Sequence, residues 1–240
     1  MLYELRIYHP MPGRLDDLVE RIGAVMPPFF ERHGFAPRLG QWVGVAGSPT
    51  PVFAWLLRWP SLERRMAAFA ALGADEEWNA VRVRTNGPGE MVRRYNLRLL
   101  SPSPAAAPVD AEARGPACGL YEVRVLPVAV GRTRAAAEAL AAVDLPALAA
   151  TGTTIVGVFD NVFGGATPGV TLLLGWPDFE RRREALANYE RQPEVARARR
   201  SERQQYAGEH LLGMASSLLL EPARYGAIDL QTQQSPGKNP

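Results

Sequence analysis

The chain states its opening twice. Tyr3-Glu4-Leu5-Arg6-Ile7 returns about 118 positions later as Tyr121-Glu122-Val123-Arg124-Val125, and Trp59-Pro60-Ser61-Leu62-Glu63-Arg64-Arg65 returns as Trp176-Pro177-Asp178-Phe179-Glu180-Arg181-Arg182. Solenoid units repeat every ~20–50 residues, so a period this long marks a duplicated domain. Gly13 with Gly131, Pro28 with Pro146 and Gly34 with Gly152 keep the copies in register. Two related copies in one chain can pack on each other and enclose a site.

A chain of 240 residues fits two domains of ordinary size. Its 27 basic and 25 acidic side chains leave a net charge of only +2, which gives no support to a nucleic-acid or acidic-membrane partner. Lys238 is the one lysine, and arginine in its place, with much Ala, Pro and Gly, reads as a GC-rich, bacterial origin. The single cysteine, Cys118, excludes an internal disulfide framework and a multi-cysteine metal site. The opening residues lack a basic segment followed by an apolar stretch, and no apolar run approaches the roughly 20 residues of a membrane span, so the expectation is a soluble, cytoplasmic protein.

The spacing of apolar residues predicts a strand over Leu2–Tyr8, a helix from Arg14 to His33-Gly34, a hairpin of Arg38–Ala46 and Val52–Trp59, helices Ser61–Leu72 and Asp75–Arg84, and a strand Met91–Leu100. The second half repeats the order: strand Leu120–Leu126, helix Arg132–Ala149, strands Ile155–Val162 and Val170–Trp176, helix Asp178–Tyr189, strand His210–Glu221. Strand, helix, strand, strand, helix, strand is the split βαβ, ferredoxin-like unit. One face of each sheet is covered by helices and the other is bare, so the two bare faces are expected to meet as a barrel with helices outside. The fold class is therefore α+β, with domains at 1–100 and 118–222, a Pro/Ala-rich linker at 101–117, and a polar tail at 223–240.

Tyr3-Glu4-Leu5-Arg6-Ile7-Tyr8, Pro12-Gly13, His33-Gly34, Ser61-Leu62-Glu63-Arg64 before an Ala-rich helix, and Asp75-Glu76-Glu77-Trp78 together resemble the NIPSNAP domain. The resemblance covers Met1 to Leu100 well and Leu120 to Pro222 more weakly, since Asp75-Glu76-Glu77-Trp78 becomes Arg191-Gln192-Pro193-Glu194 and Arg124 is followed by Val125-Leu126-Pro127. It implies a dimeric α/β barrel, here built from the two copies within one chain. That superfamily includes cofactor-free monooxygenases, isomerases and cyclases, haem enzymes and ligand-binding proteins.

Alternation along the first strand puts Tyr3, Leu5 and Ile7 on one face and Glu4, Arg6 and Tyr8 on the other. With the apolar set toward the helices, Glu4, Arg6 and Tyr8 are expected in the barrel lumen, with Glu122 and Arg124 from the second copy. Enclosed charges are costly unless paired. They read either as ion pairs that orient the halves or as a functional site. Tyr8 and His9 give way to Leu126 and Pro127 in the second copy, so the catalytic candidates are Glu4, Arg6, Tyr8 and His9. Trp42, Trp55, Arg58, Glu122 and Arg124 are the substrate-binding candidates, an aromatic pocket with a few charges for a planar ligand.

His33 precedes a helix-capping glycine, and His210 has no histidine near it in sequence. The runs Arg181-Arg182-Arg183 and Arg197-Ala198-Arg199-Arg200 are interleaved with Glu180, Glu184, Glu190, Glu194 and Glu202 and read as solvated helix faces. No phosphate loop, zinc motif or nucleophile elbow occurs.

The leading expectation is a small-molecule enzyme for proton transfer, cyclisation, rearrangement or cofactor-free oxygenation of a hydrophobic substrate, with no metal and no tightly bound cofactor. The alternatives are a non-catalytic ligand-binding or assembly protein with a filled barrel, and a haem-binding barrel. The expected partner is a hydrophobic small molecule, with no nucleic acid and no membrane, and with a homodimer open as a possibility.

Overall fold

The computed structural model describes residues 1–35, 38–47, 49–107 and 118–225. In chain order the elements are β1 (Leu2–Pro10), α1 (Leu15–Glu20), α2 (Pro27–Arg32), β2 (Arg38–Ala46), β3 (Val52–Trp59), α3 (Leu62–Ala74), α4 (Glu76–Asn86) and β4 (Val92–Pro102). Then follow β5 (Leu120–Pro127), α5 (Thr133–Ala139), α6 (Leu145–Ala150), β6 (Thr154–Phe163), β7 (Gly169–Trp176), α7 (Phe179–Arg191), α8 (Pro193–Gln205) and β8 (Ser216–Pro222).

The strands form one closed eight-stranded barrel in the order β1-β3-β2-β8-β5-β7-β6-β4. The β2 edge of the first half pairs with β8, and its β4 edge pairs with β6, both antiparallel. Closure removes the exposed edges that each half would present alone. The fold is thus a mixed α/β barrel, and the halves are joined by backbone hydrogen bonds as well as by facing side chains.

The predicted long helices are interrupted. A π-helical turn, Arg21–Val25, separates α1 from α2, and Leu140–Asp144 separates α5 from α6. In the first, the Met26 N–H reaches back to the Arg21 carbonyl. Proline has no N–H to donate and its ring crowds the preceding turn, and the wider π turn makes room just before Pro27-Pro28 and Leu145-Pro146.

Other boundaries move as well. Ser101 and Pro102 belong to β4, Ser103 is buried, and residues 108–117 of the expected linker lie outside the described residues. The strand expected from His210 starts at Ser216, and the charge run at Arg197–Arg200 lies on helix α8, in keeping with its reading as a helix face. Ala223 is packed in the first half's core, and most of the expected tail, residues 226–240, lies outside the described residues. Among the described residues no helix is long and apolar enough to cross a membrane.

Helix starts follow from side-chain caps. Ser61 caps α3 through the Arg64 N–H and Asp178 caps α7 through the Arg181 N–H, at matching places in the two copies. Asp75 does more. It accepts from the Trp78 N–H at 2.9 Å to cap α4, and it also meets His33 Nε2 at 2.6 Å and Arg32 Nη1 at 3.0 Å. The Trp78 amide, then His33 and Arg32, hold its carboxyl down at about 2 against an ordinary 3.8. A depressed carboxyl stabilises the fold above its unfolded value and loses that contribution as pH falls toward the folded one. Asp75→Ala is therefore expected to lower the melting temperature at pH 7, with the gap to the parent closing between about pH 4 and pH 2. Thermal unfolding followed by circular dichroism across that range checks it, and a gap that stays constant would reject the assignment.

Candidate functional site

The alternation of β1 is as predicted, but the faces are exchanged. Tyr3, Leu5 and Ile7 join Trp42, Val52, Ala54, Leu56, Tyr121, Val123, Val125, Phe159 and Leu173 in one cluster drawn from both halves, which fills the lumen. Tyr3 packs on Phe159 at 4.8 Å between ring centroids and Trp42 on Tyr121 at 5.6 Å. Glu4, Arg6 and Tyr8 face the other way, into the layer between sheet and helices. The middle of the lumen is consequently apolar and packed, and the expectation of lumen-facing Glu4, Arg6, Tyr8, Glu122 and Arg124 is corrected.

The physical reason lies in α3 and α7, each of which extends an arginine back to the sheet. Arg65 of α3 donates from Nη2 and Nε to the two Glu4 carboxylate oxygens at 2.7 and 3.0 Å, Trp59 Nε1 donates to Oε2 at 3.0 Å, and Arg6 completes the ring. In the second copy Arg182 of α7 donates to Glu122 at 2.7 Å, joined by Arg124 Nε at 2.7 Å and Ser217. Burial alone would raise the Glu122 carboxyl, yet Arg182, Arg124 and Ser217 bring it below its ordinary value. A glutamate on the first strand, an arginine two residues on, and an arginine from the later helix thus form the same clamp in both copies.

What surrounds the clamp differs. In the first copy the Arg6 guanidinium is stacked over Phe69 at 4.6 Å, Tyr8 at 5.4 Å and Trp55 at 5.5 Å, and its Nε donates to the Tyr8 hydroxyl at 2.8 Å. Phe30 stacks on Trp55, and Phe53, Trp59 and Trp78 complete the layer. In the register of the repeat, Leu126 replaces Tyr8, Leu172 replaces Trp55 and Leu148 replaces Phe30. Smaller side chains leave a cavity of about 250 Å³ in the second copy.

The cavity is floored by Arg124 and Leu126 of β5 and Leu172 of β7. Leu140 and Asp144 of the π turn, Leu148 of α6, Tyr189 of α7, and Arg199 and Glu202 of α8 wall it, and His210, Leu212 and Gly213 close it. Its polar groups converge on Asp144, whose counterpart in the first copy is the core residue Met26. Asp144 is 2 % exposed. Its Oδ1 accepts from the Tyr189 hydroxyl and from Arg199 Nη2, while Oδ2 is buried with no hydrogen-bond partner among the described residues.

Burial pushes the Asp144 carboxyl up, with Tyr189 and Arg199 opposing. Burial and the neighbouring Asp144 also push the Tyr189 phenol far up, so it stays protonated and donates. Arg199 spans to Glu202 at 3.3 Å, and Glu202 accepts from the Leu211 N–H, holding in place the segment that carries His210, whose Nδ1 lies 3.9 Å from Glu202. A buried carboxyl with a raised affinity for protons, one unpaired oxygen and a nearby guanidinium can take a proton and stabilise the anion left behind.

Of the residues singled out in the sequence, Glu4, Arg6 and Tyr8 come together, but in a closed clamp. His9 lies on the opposite face of β1, at the lumen mouth near Arg94. Trp42 fills the lumen and Trp55 the helix layer, so they do not share a pocket. Arg58 follows Ala54 and Leu56 on the lumen face, beside Tyr3 in register. Arg124 lines the cavity and Glu122 holds it there. Asp144 and Tyr189 carry no role in the sequence reading, Arg199 and Glu202 read there as part of a solvated helix face, and His210 has no partner in sequence. The available signal was the appearance of Asp144 in an otherwise apolar helix stripe where the first copy has Met26. Among the described residues, no three His, Cys, Asp or Glu side chains stand together as a metal-holding group.

Residues 3–107 match the NIPSNAP family. No curated protein matches the chain. Among solved structures, it is similar to a candidate monooxygenase from Lactobacillus acidophilus, with a TM-score of 0.56 and 8% identity over 94% of this chain and 97% of that one. An anthrone oxidase-like protein aligns with a TM-score of 0.50 and 16% identity, over 92% of this chain and 90% of that one. A mutant chlorite dismutase from Candidatus Nitrospira defluvii aligns with a TM-score of 0.50 and 9% identity, over 95% and 92%. These neighbours share the α/β barrel fold. Their differing names illustrate that one barrel serves several chemistries.

Proposed function

Taking residues 3–107 as a NIPSNAP domain, we propose that the whole chain is a small-molecule enzyme that moves protons in the second-half cavity. The observation that carries this reading is Asp144, buried, unpaired at Oδ2 and lining a cavity. Asp144 takes a proton from an acidic C–H or O–H of a small, largely apolar substrate and returns it at another position, an isomerisation or cyclisation. Tyr189 and Arg199 orient the carboxylate, and Arg124, held by Glu122, faces the developing negative charge. The names of the monooxygenase and oxidase-like neighbours are in keeping with a substrate that is first deprotonated. The cavity is smaller than the ~300–1,000 Å³ of drug-sized pockets, which favours a single-ring ligand. We also read each half as one ferredoxin-like domain, on the strand orders β4-β1-β3-β2 and β8-β5-β7-β6.

A panel of small phenols and enolisable cyclic ketones tests the binding step. Ligands that bind only the folded chain raise its melting temperature. Leu172→Trp, which restores the first copy's residue, is expected to fill the cavity and abolish that rise while the chain still folds. Stabilisation that survives Leu172→Trp would place binding elsewhere. The second reading, a non-catalytic binding or assembly protein, draws on the filled lumen. An assembly protein predicts no rise in melting temperature with the panel, and a non-catalytic binding protein predicts a rise without exchange of ligand protons for solvent deuterium.

A further inference from the structure

One polar group on the lumen side takes no part in either clamp or in the Asp144 cavity. Arg98 of β4 is paired in register with Leu5, a lumen-facing residue, so its side chain leaves β4 on the lumen side. Its guanidinium makes no hydrogen bond or ion pair among the described residues, and Nη1 is buried without a partner. Beside it lies a pocket of about 90 Å³, to which His9, Asn96 and Ser216 contribute polar groups and Ile7 and Val125 apolar wall.

An arginine keeps its charge at any physiological pH, and leaving that charge half-desolvated without a counter-ion is costly. Burial pulls its pKa down, and no acidic side chain among the described residues opposes this. A charged neighbour at this mouth has the same sign: Arg94 Nη2 is 3.4 Å from His9 Nε2. None of the described side chains supplies the counter-charge, which leaves room for an anion that is not part of them. At about 90 Å³ the pocket limits the anion to a small one. The planar guanidinium fork matches a carboxylate, with the His9 ring and Ser216 hydroxyl as further polar partners.

We infer that Arg98, with His9 and Ser216, forms a binding site for a small carboxylate at the mouth of the lumen. It lies on the opposite face of β5 from the proposed proton-transfer cavity, since Val123 and Val125 border this pocket and Arg124 the other. The site is independent of that reading of function.

The test is thermal unfolding of the full chain in sodium acetate against sodium chloride, at equal ionic strength and fixed pH. The parent's melting temperature is expected to rise with acetate to a plateau that chloride does not reproduce. Arg98→Met, which removes an unpaired charge, should melt no lower than the parent in chloride and show no acetate response. Arg98→Lys keeps the charge but not the fork, and its half-saturating acetate concentration should be at least about tenfold higher, the equivalent of 1.4 kcal/mol. If Arg98→Met does not fold, Arg98→Lys carries the comparison. Equal effects of acetate and chloride on the parent, or a parent-like acetate response in the variants, would overturn the site.

Discussion

Glu4→Ala is expected to cost the folded chain about 3–5 kcal/mol, the usual loss when one partner of a buried ion pair is removed. For a chain of this size that lowers the melting temperature by roughly 6–20 °C. Glu4 is wholly buried and accepts from Arg6, Arg65 and Trp59. Without it, Arg65 can swing toward water, but Arg6 stays between Phe69, Tyr8 and Trp55 with only the Tyr8 hydroxyl as partner. Glu122→Ala should cost less, because Arg124 borders the cavity and water can reach it there. A double variant, Glu4→Leu with Arg6→Met, should recover most of the loss, since an apolar pair of similar volume often does as well as a buried ion pair. Urea unfolding of the four proteins checks the order. Equal losses for Glu4→Ala and Glu122→Ala would contradict the contrast drawn between a closed and an open copy.

That contrast also explains how much of the molecule could be read in advance. The repeat, the element order and the two-faced first strand were legible because hydrophobic periodicity and turn residues act locally. The direction in which Glu4 and Arg6 point was not, because both faces of β1 are buried and alternation alone does not say which is the lumen. The deciding partners, Arg65 and Arg182, stood in the repeated motif, yet only the packing of α3 and α7 brings them to the glutamates. The π turns were hidden because apolar spacing reads through a single widened turn. The cavity was not legible because the asymmetry between the copies points first to Tyr8 and His9, the polar groups that the first copy adds, and not to the space that smaller residues open in the second. It arises from residues that they do not share: Leu126 for Tyr8, Leu172 for Trp55, and Asp144 for Met26.

The sharpest consequence falls on Asp144. With an enolisable ligand from the panel in deuterated water, Asp144→Asn is expected to slow exchange of the ligand's acidic proton by about 10²- to 10⁴-fold, the usual contribution of a positioned acid or base. Asparagine keeps an oxygen for Tyr189 and Arg199 but cannot take the proton. Stability should move differently. Because burial raises the Asp144 carboxyl in the folded state, its contribution is full below the unfolded value near 3.8 and is lost as pH rises through the folded one. Asparagine has no such titration, so stability of the variant should decline less than the parent's over that interval and should not fall far below it at pH 7. Tyr189→Phe removes one donor to Oδ1 but leaves Oδ2 as it is, so it should slow exchange less than Asp144→Asn does. A large activity loss without a matching stability loss would mark Asp144 as a group that acts on the ligand. Parallel losses of both, or unchanged exchange, would reduce it to a structural partner of Arg199 and return the second-half cavity to the non-catalytic reading.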